Sequence, residues 1–310
     1  MTTDLNSLTA YGEKFIKNQP DLAIATQKKY STIVNKLVEF EIYRNKKITF
    51  KEIDLKLRTE LIYYFSDVHR LGDNTIGRYL KFIKSLCLDA QRQGIYVNRE
   101  LSYFKGYTVK AVKTILTFAE LDQIKSTNFS KTNHKIARDW LIIGCYTGQR
   151  VSDLLKMDSA SIQKTQNSEV IVIKQIKTGK LVQIPMHIEI KRLLLKRNGE
   201  FPPAFAENFE SNKSLFNRYL KQLCKVAKLD AIEKGSVYNS ETKRNEEGEF
   251  EKYKLVSSHI CRRSFATNFY GNPKYPTPML MNITAHSTEK MFLEYIGKKQ
   301  GDNDAQLSMF

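Results

Sequence analysis

At 310 residues, with 41% apolar and 27% charged side chains, the chain can bury two modest cores and is too apolar to be a disordered polymer. Fifty Lys and Arg against 33 Asp and Glu leave a net charge of +17 and a pI near 9.5. Residues 1–106 and 107–310 are basic by +6 and +11, which excludes a short basic tail as the source and points to a polyanion enclosed by two folded halves.

Cys87, Cys145, Cys224 and Cys261 form no C-x-x-C pair and are expected to be small buried hydrophobes in a reducing compartment. The start, Met1-Thr2-Thr3-Asp4, has neither a basic n-region nor an apolar h-region. Apolar runs such as that around Trp140-Leu141-Ile142-Ile143 are far too short to span a bilayer. A cytoplasmic protein with no membrane partner is expected.

In chain order, Leu8, Tyr11, Phe15 and Ile16 form one helical stripe. A second helix after Thr26 would bury Tyr30, Ile33, Val34, Leu37 and Phe40. Ile48 to Ile53 reads as an extended connector, and Leu57 to Val68 as a third helix. Asn74 is expected to cap a fourth, which buries Ile76, Leu80, Ile83 and Cys87, ends at Gly94, and leaves Arg78, Lys81, Lys84 and Arg92 on or near its outer surface. A solvated basic face would explain those four cations; on a chain this basic, a helix lying on or in a DNA groove explains them better.

Periodicity loosens over residues 107–116, which are expected to be a linker. Thr117 and Glu120 then have the spacing of a capping box. A helix over 132–147 burying Ile136, Trp140 and Ile143 is stopped by Thr147-Gly148, so Arg150 stands near the start of the next one. Glu169 to Ile176 and Leu181 to Met186 read as a β-hairpin with Lys177 at its tip. Helices over 187–198 and 213–228 follow, then a polar mobile loop or ragged hairpin from Ser236 to Lys254. No G-x-x-x-x-G-K loop or H-E-x-x-H pair occurs, so nothing points to an NTPase or a zinc enzyme.

The last quarter carries the chemistry. His259 and Arg262 are three residues apart in a stretch whose Ile260, Phe265, Ala266 and Phe269 fit a buried helix, so a proton carrier and a phosphate clamp leave one face together. His286 follows in a short break, and Tyr295 offers a hydroxyl nucleophile one or two turns later. These are the parts of a phosphoryl-transfer site that needs no metal or other cofactor.

The ordered set Thr147-Gly148-Gln149-Arg150, Lys177, His259-x-x-Arg262, His286 and Tyr295 nine residues later resembles the tyrosine recombinase (phage integrase) family, over nearly the whole chain. The resemblance implies an all-α core-binding, SAM-like domain over 1–106, a linker over 107–116, and a mixed α/β, mostly helical catalytic domain with a small antiparallel sheet over 117–310, C-terminal tail included. The two domains would clamp duplex DNA. The residue before the second histidine, commonly glycine in the family, is Ala285 here. Many integrases of bacterial mobile elements also carry an arm-binding domain ahead of the core-binding one, and none is expected within these 310 residues.

Singly, each residue has an ordinary structural explanation: Arg150 an ion-pair partner, His259 a core histidine, His286 a loop residue, Tyr295 a packing aromatic. Together they supply a mechanism. Two arginines, Arg150 and Arg262, can grip the non-bridging oxygens on which charge builds. The resemblance implies that Tyr295 attacks, His259 handles its proton, Lys177 protonates the leaving 5′-oxygen and His286 bonds the phosphate. Arg78, Lys81, Lys84 and Arg263 are candidate DNA contacts. The implied partners are double-stranded DNA, further copies of the chain in a tetrameric synapse, and accessory DNA-bending proteins. By the family's habit, the apolar tip Leu307, Met309 and Phe310 would dock on a neighbouring protomer. A type IB topoisomerase-like nicking and resealing enzyme shares this chemistry without needing a specific site, and a non-cutting DNA-binding regulator would explain the charge but not the six-residue set.

Overall fold

The computed structural model describes residues 6–110, 112–166, 168–242 and 244–298. Its packing divides the chain into Met1–Lys110 and Ala111–Phe310.

The first unit is helical: α1 Leu8–Lys17, α2 Ile24–Tyr43, α3 Leu55–Tyr63 and α4 Asp73–Arg92. The buried stripe of α4, Ile76, Leu80, Ile83 and Cys87, shares one core with Leu8 and Tyr11 of α1 and with Ile33, Val34, Leu37 and Phe40 of α2, while Tyr30 is only partly buried. Three details depart from the sequence reading. The connector tightens into a 3-10 turn, Phe50–Glu52, closed by a Thr49/Glu52 capping box. Helix α3 begins at Leu55 because Asp54 accepts from Leu57 N, and a π-helical turn over Tyr64–Val68 continues it, with His69 N donating to Tyr64 O. Asn74 is not the cap of α4, which starts after Gly72. Its amide instead pairs with both backbone groups of Val109, at 2.9 Å each.

The second unit is built on α6 Thr132–Thr147, whose Trp140, Leu141 and Ile143 lie at the centre of its core; Ile136 is half-buried at the margin. Helix α5 Phe118–Ser126 precedes it, opened by the expected Thr117/Glu120 capping box, and α7 Val151–Leu154 follows. Three antiparallel strands come next in the order β1 Ile162–Lys164, β2 Glu169–Lys174, β3 Leu181–Pro185, with Ile171 paired to both Ile162 and Ile184. Ile171, Val182 and Ile184 turn their side chains into the core. The three-residue β1 has too little alternation to be legible as a strand.

Helices α8 Ile188–Leu195 and α9 Phe209–Val226 then pack on α6. Helix α9 starts four residues before position 213 because Asn208 caps it. The polar stretch is neither loop nor ragged. It forms a regular second sheet, β4 Ile232–Asn239 paired with β5 Arg244–Glu251 from Ile232↔Glu251 to Asn239↔Arg244, followed by α10 Lys252–Leu255. Helices α11 His259–Phe269, α12 Thr277–Thr284 and α13 Glu289–Ile296 are the last elements among the described residues, with α11 packed on α6. The tail that was expected to dock on a neighbour, 305–310, lies outside the described residues.

Candidate active site

Helix α6 ends where Gly148 turns left-handed, at φ +67°. A Cβ there would stand 2.4 Å from Phe265 Cδ1, so only glycine lets the chain pass α11 this closely. The Gly148 carbonyl accepts from Arg262 Nη1 at 3.1 Å. Arg262 is 1% exposed, and its Nη2 is buried with no full hydrogen-bond partner among the described residues. Desolvation, followed by the charge of Arg150, lowers the Arg262 pKa to about 10, which leaves the guanidinium cationic at neutral pH.

Arg150 is the first residue past the turn and precedes α7, a helix of one turn. Its Nη1 donates to Gln175 Oε1 at 3.0 Å. The two buried glutamines, Gln149 and Gln175, are 0% exposed and tie four segments together. Gln175 Nε2 donates to Gln149 Oε1 and to the Ile283 carbonyl at 2.8 and 3.1 Å, while Gln149 Nε2 donates to the Thr147 and Ile283 carbonyls. Thr178 Oγ1 donates to Gln175 Oε1, and Ile176 N to Asp153 Oδ1. The β2–β3 turn that exposes Lys177 is thereby fastened to the start of α7 and the end of α12.

His259 opens α11, and its Nε2 lies 3.2 Å from Tyr295 Oη, with the two rings edge to face. Desolvation, then the charges of Arg263, Arg262, Arg150 and Lys177, lower the His259 pKa to about 4. The residue still meets solvent on one side. Helix α12 ends at Ala285 in the left-handed region, φ 48° and ψ 44°, and this throws His286 back towards Tyr295, ring centroids 4.9 Å apart. His286 Nδ1 meets Thr284 Oγ1 at 2.8 Å. Desolvation and the charges of Arg262, Arg150 and Lys113 lower its pKa to about 4 as well. The Tyr295 phenol is held above its usual range by desolvation, against the pull of Arg262, Arg263 and Arg150.

Arg150, Lys177, His259, Arg262, His286 and Tyr295 therefore form one cluster, with Arg263 beside it. None of these cations has an ion-pair partner among the described residues, so the site is arranged for an anion supplied from outside. Arg78, Lys81 and Lys84 belong to the other unit. There Arg78 and Lys81 line an open groove of about 570 Å³ between α2 and α4 with Lys29, Tyr30 and Phe82, and Lys84 Nζ donates to the Ser102 carbonyl.

Sequence reasoning missed Gln149 and Gln175 as supports, Asp153 as the anchor of the Lys177 turn, and Lys113, whose Nζ donates to the Glu294 and Tyr295 carbonyls. Gln175, at the end of a strand two residues before Lys177, had a positional signal; Lys113 had none. Among the described residues no group of three or more His, Cys, Asp or Glu is placed to hold a metal ion, and no helix is long and apolar enough to cross a membrane.

A model of the phage integrase family matches residues 108–301, and one of the phage integrase SAM-like domain matches residues 7–109. No curated protein sequence matches the chain. Among solved structures, it is similar to a lambda integrase (75-356) dimer bound to a COC′ core site, at 17% identity and TM-score 0.67 over 96% of this chain and 97% of that one. It is also similar to the Tn1549 transposon integrase (82-397) in complex with circular intermediate DNA, at 17% identity and TM-score 0.66 over 98% and 99%. A third is a lambda integrase tetramer bound to a Holliday junction, at 16% identity and TM-score 0.66 over 97% and 81%. At such identities the likeness is one of fold.

Proposed function

The chain belongs to the phage integrase family, and from that membership we infer that it is a site-specific DNA recombinase which cuts and rejoins strands through a covalent 3′-phosphotyrosine. In this reading the Tyr295 oxygen attacks the scissile phosphorus and gives its proton to His259 Nε2, 3.2 Å away. The phosphorus–5′-oxygen bond breaks as the phosphorus–tyrosine bond forms, and Lys177 supplies the proton that leaves with the 5′-hydroxyl. Arg150 and Arg262 hold the non-bridging oxygens, the latter through its unspent Nη2. His286 supplies a further donor to the phosphate. A 5′-hydroxyl from another duplex reverses the step, with the same groups in exchanged roles.

The observation that carries this reading is the approach of the Tyr295 hydroxyl to His259 beside a buried guanidinium with a free donor. In the first unit, the groove with Lys29, Arg78 and Lys81 beside the stacked rings of Tyr30 and Phe82 has the charge and shape to follow a DNA backbone. The lambda relative assembled as a tetramer on a Holliday junction supports self-association on DNA here, and accessory DNA-bending proteins and a cytoplasmic, DNA-associated setting in a bacterial cell fit the same role.

A nicked suicide substrate that loses its 5′-hydroxyl strand after cleavage tests the chemistry. Peptide mapping of the trapped product should place DNA on Tyr295. An adduct on Tyr270 or Tyr275, or none on a verified site, would refute the assignment. Strand exchange between two sites separates a recombinase from a topoisomerase-like activity, and any covalent adduct separates both from a non-cutting regulator.

A further inference from the structure

We propose that residues 113–116 brace the helix of Tyr295 against the helix of His259 and Arg262, with Lys113 as the positioning residue. The inference rests on the reading of Tyr295 as nucleophile and goes beyond it by asking what holds α13 in place. Helix α13 is eight residues long and buries only Phe292 and Leu293. Its last turn contains no basic residue, and Gly297 ends it in the left-handed conformation, its N–H donating to the Glu294 carbonyl. A helix this short, with so few buried residues and only the acidic Glu294, no basic residue, at the negative end of its dipole, is weakly held.

Lys113 supplies what α13 lacks. Its Nζ donates to the Glu294 and Tyr295 carbonyls at 2.5 and 3.1 Å and lies 5.5 Å from the centroid of the Tyr295 ring. One cation thus meets the end of the helix dipole, two exposed carbonyls and the face of the nucleophile's own ring. Three residues later the same segment is pinned to α11. Leu116 N donates to Ser264 Oγ at 2.8 Å, and Asn268 Nδ2 donates to the Leu116 carbonyl at 2.9 Å. Leu116 and Ser264 are both fully buried. Since α11 carries His259 and Arg262, the segment spans the two helices whose separation sets the distance between attacking oxygen, base and phosphate clamp.

Three variants test the brace by hydrogen exchange on DNA-free protein and by cleavage of saturating suicide DNA. Lys113→Met should speed exchange in the last turn of α13 and slow cleavage, each by about fivefold, the scale of a cation at a helix C-terminus, with the DNA dissociation constant unchanged. Lys113→Arg should restore both. Ser264→Ala, which removes the anchor on α11, should also loosen α13. Unchanged exchange in α13 for either Lys113→Met or Ser264→Ala would overturn the brace. So would weaker DNA binding with an unchanged saturating rate in Lys113→Met, which would make Lys113 a DNA contact. The exchange measurement needs neither DNA nor chemistry, so it decides the brace even if wild-type protein forms no adduct on Tyr295.

Discussion

Tyr295 Oη and His259 Nε2 face each other at 3.2 Å across a ring of cations. In the proposed reaction His259 would therefore start neutral, as a base for Tyr295 must. His259 and His286 are both lowered from 6.5 to about 4, so a nuclear magnetic resonance titration of the DNA-free protein should find no imidazole of this pair protonated at pH 6. A midpoint at or above 6.5 for either would contradict the site's electrostatics. The sign for stability follows. The unfolded chain protonates its histidines first, so the stabilising preference for neutral rings is complete above about pH 6.5 and is lost as pH falls towards about 4. His259→Gln should flatten the decline of melting temperature across that window.

Gln175 holds Arg150 from one side and the end of α12 from the other. Gln175→Leu would leave Gln149 Oε1 without its donor and Arg150 Nη1 without its acceptor, at a cost of about 1–3 kcal/mol for buried groups left unpaired. The melting temperature should drop accordingly. Because Arg150 and the Lys177 turn both lose their reference, cleavage at saturating DNA should slow by about 10- to 100-fold. A variant with lower stability but wild-type cleavage would show that Gln175 supports the fold and not the clamp.

The stripes of α1, α2, α4 and α6 were legible in the sequence because each repeats apolar residues at helical spacing, as were the capping box at Thr117 and the stop at Gly148. The six-residue set was legible as chemistry and order. Its spatial agreement was not, since Gln149, Gln175 and Lys113 also act through contacts to residues 25 to 182 positions away. The hairpin β4–β5 was obscured for another reason. Neither strand has a fully buried residue, and β5, Arg244-Asn245-Glu246-Glu247-Gly248-Glu249, carries no alternating apolar signature, so the backbone ladder is what defines the pair.

Lys177 is exposed at the tip of its turn, and in the proposed reaction it protonates the 5′-oxygen that leaves the scissile phosphate. Lys177→Ala should cleave ordinary DNA slowly. On a substrate with sulfur at the bridging 5′ position most of the rate should return, because a thiolate departs without a proton. Equal defects on both substrates would move the acid elsewhere, and Lys174 or Lys180 would be tested next.

Two turn residues with left-handed backbones should respond in opposite directions to the same exchange of alanine and glycine. Ala285 ends α12 at φ 48°, with His286 N donating to the Met281 carbonyl at 3.0 Å. A side chain in that conformation costs about 1–2 kcal/mol, while glycine's extra freedom in the unfolded chain returns about 0.4–1 kcal/mol of that. Ala285→Gly should therefore stabilise by about 0–1.6 kcal/mol and leave cleavage intact, since the backbone that aims His286 is unchanged. Gly148, at φ +67°, has no such tolerance. In Gly148→Ala the new Cβ would meet the ring of Phe265, itself 1% exposed, adding about 1–3 kcal/mol of overpacking to the backbone cost. Relief by movement of the turn would pull the Gly148 carbonyl from Arg262 Nη1, so cleavage should fall further than DNA affinity. Thermal melts and single-turnover cleavage of the two variants together check the account, and a Gly148→Ala protein as stable and active as wild type would show that the turn does not position Arg262.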